Sequence, residues 1–222
     1  MDLTVFSTGS MGNCAVIDDT LIIDAGYYSP VVGGGAVLLT HSHSDHASKL
    51  RNYEGLPIYA THETIDALSA RYPYTQFSPL DDDNMIYGYR VRLVRLSHDV
   101  PCVGFDIARN NARILYATDF ARIETPVNLR DYTAIFIECN NTLCAGDLLD
   151  RYARNDADIL HARRAYETHC NAGYLYELFR ANGYNARNRC EVPVTLLHKS
   201  KAYYNTHPEQ IERLSELISN IY

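Results

Sequence analysis

The chain has 222 residues, 46% of them hydrophobic and 21% charged, an ordinary balance for one domain with a sizeable core. A formal net charge of -7 excludes a uniformly basic surface, so any nucleic-acid contact must come from a local patch. The 6 cysteines are scattered with no C-x-x-C pair, Met1-Asp2-Leu3 leads straight into a strand-like segment, and no apolar run approaches ~18 residues. A cytoplasmic protein with reduced thiols and no membrane segment is expected.

In chain order, residues 3–6 read as a strand and residues 7–13 as a turn-rich loop. Residues 14–17 and 21–23 read as a hairpin across Asp18-Asp19. The second strand of that hairpin ends at Asp24-Ala25-Gly26. There Asp24 is either a support that accepts hydrogen bonds from a metal loop or a simple strand-to-turn residue. Gly33-Gly34-Gly35 lacks the lysine of a phosphate loop and reads as a flexible turn. Residues 36–40 form a short apolar strand.

That strand runs into His41-Ser42-His43-Ser44-Asp45-His46. His41 and His43 alternate, so at a strand's end they project to the same side. Asp45 and His46 follow as the chain turns, and such a turn can aim two ligands at one ion and two at a neighbour. Imidazole and carboxylate suit zinc, manganese or iron. A solvated polar turn is the competing reading, and the full H-x-H-x-D-H spacing behind an apolar strand speaks against it.

Downstream, residues 47–53 read as a short helix, 57–60 as a strand, and 61–71 as a helix capped by Thr61. Residues 72–84 read as loop, with the acidic run Asp81-Asp82-Asp83 read as a solvated turn in preference to a cation site. A strand over 90–96 ends at Ser97-His98-Asp99. Residues 103–108 and 113–116 form a hairpin across Asn110-Asn111 and end at Asp119, a carboxylate able to bridge two cations. A strand over 133–138 ends at Glu138-Cys139-Asn140. Residues 156–182 read as helix broken near 170–173. A last strand over 193–197 ends at His198, and residues 207–221 form an amphipathic helix with Pro208 in its first turn. The candidate ligands 41, 43, 45, 46, 98, 119 and 198 thus fall at strand ends, where sheet edges gather chemistry.

The motif and the order of these elements resemble the metallo-β-lactamase fold over nearly the whole chain. The likeness is to the single-domain phosphodiesterases of the YycJ/WalJ (VicX) type. It is carried by Thr8-Gly9-Ser10-Met11-Gly12-Asn13, Ile23-Asp24-Ala25-Gly26, Tyr116-Ala117-Thr118-Asp119-Phe120, Glu138-Cys139-Asn140, Thr168-His169-Cys170-Asn171 and His198-Lys199-Ser200. The last two histidine segments are also similar to tRNA 3′-processing enzymes of the RNase Z type. Phe120-Ala121 and Thr168 depart from the family pattern, as does the segment after Glu138, which lacks a His-Asp pair.

The resemblance implies a single α/β domain over residues 1–222, a four-layer αββα sandwich of two facing mixed sheets flanked by helices. It implies two divalent ions, Zn²⁺ or Mn²⁺. His41, His43 and His98 would hold the first, Asp45, His46 and His198 the second, and Asp119 would bridge both. Two such ions, about 3.5–4 Å apart, would activate a shared hydroxide for attack on phosphorus. Asp45 would orient or deprotonate the water, and His169, oriented by Glu138, would protonate the leaving oxygen. A structural residue at a helix break is the other reading of His169. Lys199, Lys201, Arg163 and Arg164 either hold phosphates or form a solvated face. The expected activity is a phosphodiesterase acting on nucleic acid, in the manner of a DNA exonuclease, or on a small phosphodiester. A hydrolase of small esters, lactones or thioesters and a non-catalytic metal-binding regulatory module remain as alternatives.

Overall fold

The structure, a computed structural model, describes residues 1–27 and 35–222. The turn expected at Gly33-Gly34-Gly35 therefore lies outside the described residues save for Gly35. The chain divides into two compact units. The first comprises Met1–Arg95 and Val100–Tyr116, the second Leu96–Asp99 and Ala117–Tyr222.

In the first unit, β1 (Leu3–Ser7), β2 (Cys14–Ile17), β3 (Leu21–Ile23), β4 (Ala36–Leu38), β5 (Ile58–Ala60) and β6 (Phe77–Pro79) form a mixed sheet in chain order. β1, β2 and β3 pair antiparallel, whereas β3 to β6 run parallel. The hairpin turn falls at Asp18-Asp19, both with positive φ (47° and 51°), a backbone that aspartate tolerates. β2, β3 and β4 are buried along their whole length, as parallel and central strands are. Their side chains pack with Leu50, Tyr53, Leu68 and Tyr72 into one core.

α1 (Ser44–Ala47) lies inside the histidine motif, so the helix begins earlier than expected and is followed by a 3₁₀ turn (Leu50–Tyr53). A four-residue helix cannot stand on its own hydrogen bonds. Its carbonyls find partners elsewhere: Asn13 N–H donates to Asp45 O (2.8 Å), Ala25 N–H to His46 O (2.7 Å) and the Tyr72 hydroxyl to Ala47 O (2.7 Å). α2 (His62–Ser69) starts where expected, with the Thr61 hydroxyl accepting from Thr64 N–H.

Residues 72–84 are not all loop. β6 pairs with β5, and β7 (Asp83–Ile86) pairs antiparallel with β8 (Tyr89–Ser97). Pro79 closes β6, a position where its missing N–H is tolerated. The acidic run is exposed as expected, and Asp83 and Asp82 also pair with Arg90 and Arg95. β9 (Cys102–Arg109) and β10 (Ala112–Ala117) form the expected hairpin, with Asn110 at φ 54°. Within it Asp106, 5% exposed, is clamped by Arg92 and Arg113.

In the second unit, β11 (Arg122–Ile123) pairs with Leu96 and Ser97 at the end of β8, and β12 (Ala134–Glu138) runs parallel to β13 (Val194–Leu197). Four helices follow these strands or lie between them: α3 (Ala145–Ala153), α4 (Ile159–Thr168), α5 (Ala172–Ala181) and α6 (Pro208–Ser215). The expected break separates α4 from α5, where Asn171 caps α5 by accepting from Tyr174 N–H. α3 had no sequence reading, and none of its residues is buried. α6 is shorter than expected. Residues 217–222 leave the helix and hydrogen-bond along residues 190–196, with Tyr222 N–H to Val194 O and Leu196 N–H to Tyr222 O each at 2.9 Å. Pairing with a strand edge there satisfies more backbone groups than another helical turn would.

No helix among the described residues is long and apolar enough to cross a membrane. All 6 cysteines are free thiols.

Candidate metal centre

In the first unit the motif is held from beneath by Asp24, which is fully buried and sits just past β3 at φ 63°. Its carboxylate accepts from Thr40 N–H (2.9 Å), from the Thr40 hydroxyl (3.0 Å) and from His46 Nδ1 (2.8 Å). Burial pushes the Asp24 carboxyl up, and the contacts from His46 and Thr40 only partly offset it. This is the supporting role expected of a strand-end aspartate: it sets the tautomer and tilt of the ring.

His41 and His43 converge, with His41 Nε2 3.1 Å from His43 Nδ1. Two nitrogens bound to one tetrahedral zinc would stand ~3.3 Å apart, so the pair fits a divalent ion with little movement. On its other side His41 Nδ1 lies 3.0 Å from the Thr40 hydroxyl and 3.7 Å from Cys102 Sγ. Asp45 and His46 stand on α1, and His46 Nε2 is 3.6 Å from Asp45 Oδ2.

Asn13 is a contributor that the sequence reading did not assign. Its Nδ2 lies 2.8 Å from His46 Nε2 and 3.4 Å from Asp45 Oδ2, while its Oδ1 accepts from Gly9 N–H. An ion held by His46 Nε2 would take the place of that Asn13 contact. The signal was the turn-rich loop before β2, whose Asn ends at the motif. Gly26 closes the arrangement. A Cβ there would meet Asp45 O at 2.0 Å and Asn13 N at 2.5 Å, so only glycine lets these three segments approach.

The second unit gathers residues from distant strand ends. Asp119 follows β10 at φ 54° and His198 follows β13 at φ 53°. Left-handed backbone at non-glycine residues is a local cost met where geometry has a use. Glu138, fully buried at the end of β12, places Oε1 2.7 Å from His169 Nδ1 and 3.1 Å from His198 Nδ1. Its Oε2 accepts from Phe120 N–H at 2.7 Å. Asp119 Oδ1 is 3.0 Å from His198 Nδ1 and 3.6 Å from His169 Nδ1. Ligand atoms of Asp119, Glu138, His169 and His198 all lie within 4.8 Å of one another. Glu138 therefore serves two imidazoles, where the sequence reading assigned it to His169 alone.

The electrostatics follow from burial against opposite charge. Burial pulls the His198 imidazole down, yet Asp119 and Glu138 outweigh it and hold it well above the ordinary histidine value. Burial opposes charging of His169 too, and Glu138 raises it nonetheless. Burial pushes the Glu138 carboxyl up, and the two histidines bring it below its ordinary value. This pocket is built to hold positive charge between carboxylates, as a divalent ion would supply.

His98 sits at the end of β8 with its Nδ1–H donating to Thr168 O at 3.0 Å, which leaves Nε2 as the nitrogen able to bind an ion. Burial lowers its pKa, in keeping with a neutral imidazole. Its ring stands 5.3 Å from that of His169, centre to centre. Arg164 pairs with Asp99 and Arg163 with Glu167, so both arginines already face carboxylates. Lys199 and Lys201 are exposed.

Residues 28–144 match the family model of the β-lactamase superfamily domain. No curated protein sequence matches the chain. Among solved structures, the metallo-β-lactamase fold protein YhfI from Bacillus subtilis is similar with a TM-score of 0.68 and 16% identity, covering 99% of this chain and 94% of that one. Zn²⁺-bound PqqB from Methylobacterium extorquens aligns with a TM-score of 0.67 at 13% identity, over 100% and 97% of the two chains. The short form of human tRNase Z aligns with a TM-score of 0.58 at 14% identity, over 91% and 94%. At such identities the structures speak for the fold. The family match covers more than half of the chain, and with it the chain belongs to the β-lactamase superfamily and has the mixed α/β metallo-β-lactamase fold.

Proposed function

We propose that the protein is a metal-dependent hydrolase that cleaves phosphodiesters, with nucleic acid as its substrate class. The observation that carries this reading is the pair of ligand-rich groups, one in each unit. Imidazole nitrogens of His41 and His43 converge at 3.1 Å in the first. Asp119, Glu138, His169 and His198 gather within 4.8 Å in the second. We assign His41, His43 and His98 to one divalent ion, Asp45, His46 and His198 to another, and Asp119 to both, with zinc or manganese as the metal. Human tRNase Z, among the similar folds, lends support to a nucleic-acid phosphodiester as substrate.

When bound, the two ions acidify a water molecule and offset the charge that grows on the phosphoryl oxygens. The protein's own residues do the rest. Asp45 accepts the proton of the attacking water as its oxygen bonds to phosphorus. The bond from phosphorus to the leaving oxygen breaks, and His169 gives that oxygen a proton. Glu138, 2.7 Å from His169 Nδ1, keeps the ring protonated and aimed. Asp24 fixes His46 through Nδ1 and leaves Nε2 for an ion.

The test is hydrolysis of bis(p-nitrophenyl) phosphate and of labelled single- and double-stranded DNA and RNA, in zinc and in manganese. Asp45→Ala should lower the rate about 10²–10⁴-fold, the usual weight of a positioned base, with the fold intact. His169→Ala should fall by a similar factor and lose the alkaline limb of the pH profile, where the protonated ring would otherwise titrate away. A well-folded, metal-loaded wild type that cleaves a lactone and none of the phosphodiesters would overturn the reading in favour of carbonyl chemistry.

A further inference from the structure

The second unit holds another convergence of metal-binding side chains that the proposed hydrolytic chemistry does not use. Cys144 caps α3, Asp147 stands in its first turn, and His207 caps α6. His207 Nε2 lies 2.9 Å and 3.0 Å from the two Asp147 carboxylate oxygens and 3.9 Å from Cys144 Sγ. One ligand atom from each residue falls within 4.8 Å of the others.

We propose that Cys144, Asp147 and His207 form a separate zinc site that ties the start of α3 to the start of α6. The donor set is thiolate, carboxylate and imidazole, brought together from two stretches some 60 residues apart in sequence. In a tetrahedral zinc site sulfur and nitrogen ligands stand ~3.5 Å apart, and nitrogen and oxygen ~3.3 Å, so both separations from His207 lie within a few tenths of an ångström of that geometry.

The surroundings also suit a metal. A ligating histidine usually donates its other ring N–H to a carboxylate, and His207 Nδ1 lies 3.2 Å from Glu209 Oε1. Its backbone is pinned as well, with His207 N–H donating to the Thr142 hydroxyl at 2.8 Å. Asp147 is held by Cys144 N–H, which donates to Oδ2 at 2.7 Å. Cys144 is exposed, so an ion has access. The thiolate selects zinc over manganese or magnesium, a preference that the nitrogen and oxygen ligands assigned to the hydrolytic site do not share. Binding takes Cys144 as thiolate and releases its proton to solvent.

The experiment loads the full chain with Co²⁺ as a spectroscopic stand-in for zinc, alongside zinc titration and elemental analysis. Wild type should show a thiolate-to-cobalt charge-transfer band and bind one more equivalent of zinc than Cys144→Ser or His207→Gln, both of which should lose the band. His41→Ala should keep the band, which separates this site from the hydrolytic one. Zinc should raise the Tm of wild type more than that of Cys144→Ser. A wild type without the band, a band that survives in Cys144→Ser, or equal zinc stoichiometry in wild type and both variants would overturn the proposal. Because Cys144 and His207 lie at exposed or half-exposed helix starts, both variants should fold, and their circular dichroism checks that.

Discussion

The two groups of candidate ligands are built in opposite ways. In the first unit His41, His43, Asp45 and His46 come from one short turn, and the surrounding structure supports that turn through Asp24, Asn13 and Gly26. In the second unit His98, Asp119, Glu138, His169 and His198 each come from the end of a different element, and Asp119 and His198 have left-handed backbone. The first group is a local loop braced by its neighbours. The second exists only once its strands have paired. Damage to the first should therefore fall mainly on metal affinity, and damage to the second mainly on folding.

Four substitutions sharpen or break that contrast. The largest effect is expected in the second unit. Glu138→Ala leaves buried His198 and partly buried His169 without their shared carboxylate, and should cost about 3–5 kcal/mol in denaturant unfolding of metal-free protein. A loss under ~1 kcal/mol would mean that Asp119 alone supports both rings. Asp24→Asn in the first unit should keep the fold and lower metal affinity about 10–100-fold, read by calorimetric titration. If stability falls and affinity does not, the two groups are built alike and the contrast fails.

Gly26→Ala should cost about 1–3 kcal/mol, because the new methyl group meets backbone atoms that have nowhere to go. Its thermal midpoint tests whether the turn is braced as tightly as the contacts imply. The smallest change should come from Asn171→Ala, which removes the cap of α5 away from the ligand atoms. About 1 kcal/mol of stability should be lost with metal binding unchanged.

Where local chemistry governs, the chain could be read directly. The Asp18-Asp19 and Asn110-Asn111 turns, the Thr61 cap and the break before α5 all came from residue types whose backbone preferences are strong. The reading failed where a partner decides. Phe77-Ser78-Pro79 carries loop residues and becomes a strand because β5 offers an edge. Residues 217–222 have a helical apolar pattern and pair instead beside β13. α3 has Gly146 in its first turn, and Leu148 of its short apolar stripe only half-buries against the cluster around Leu143 and Ala162, a contact that only tertiary packing supplies.

The same division holds for the candidate site. From the residues alone follow the metal-binding motif and its strand-end setting, because histidine and aspartate in that spacing are costly to explain otherwise. The family resemblance added the mixed α/β fold, and Asp24 stayed open between a support and a turn residue until its contacts with Thr40 and His46 were in view. Three-dimensional structure supplied Asn13 against His46, the need for glycine at 26, the sharing of Glu138 between His169 and His198, and the meeting of Cys144, Asp147 and His207. These contacts join residues far apart along the chain. No local preference encodes them, and they arise only when backbone pairing and burial bring the segments together.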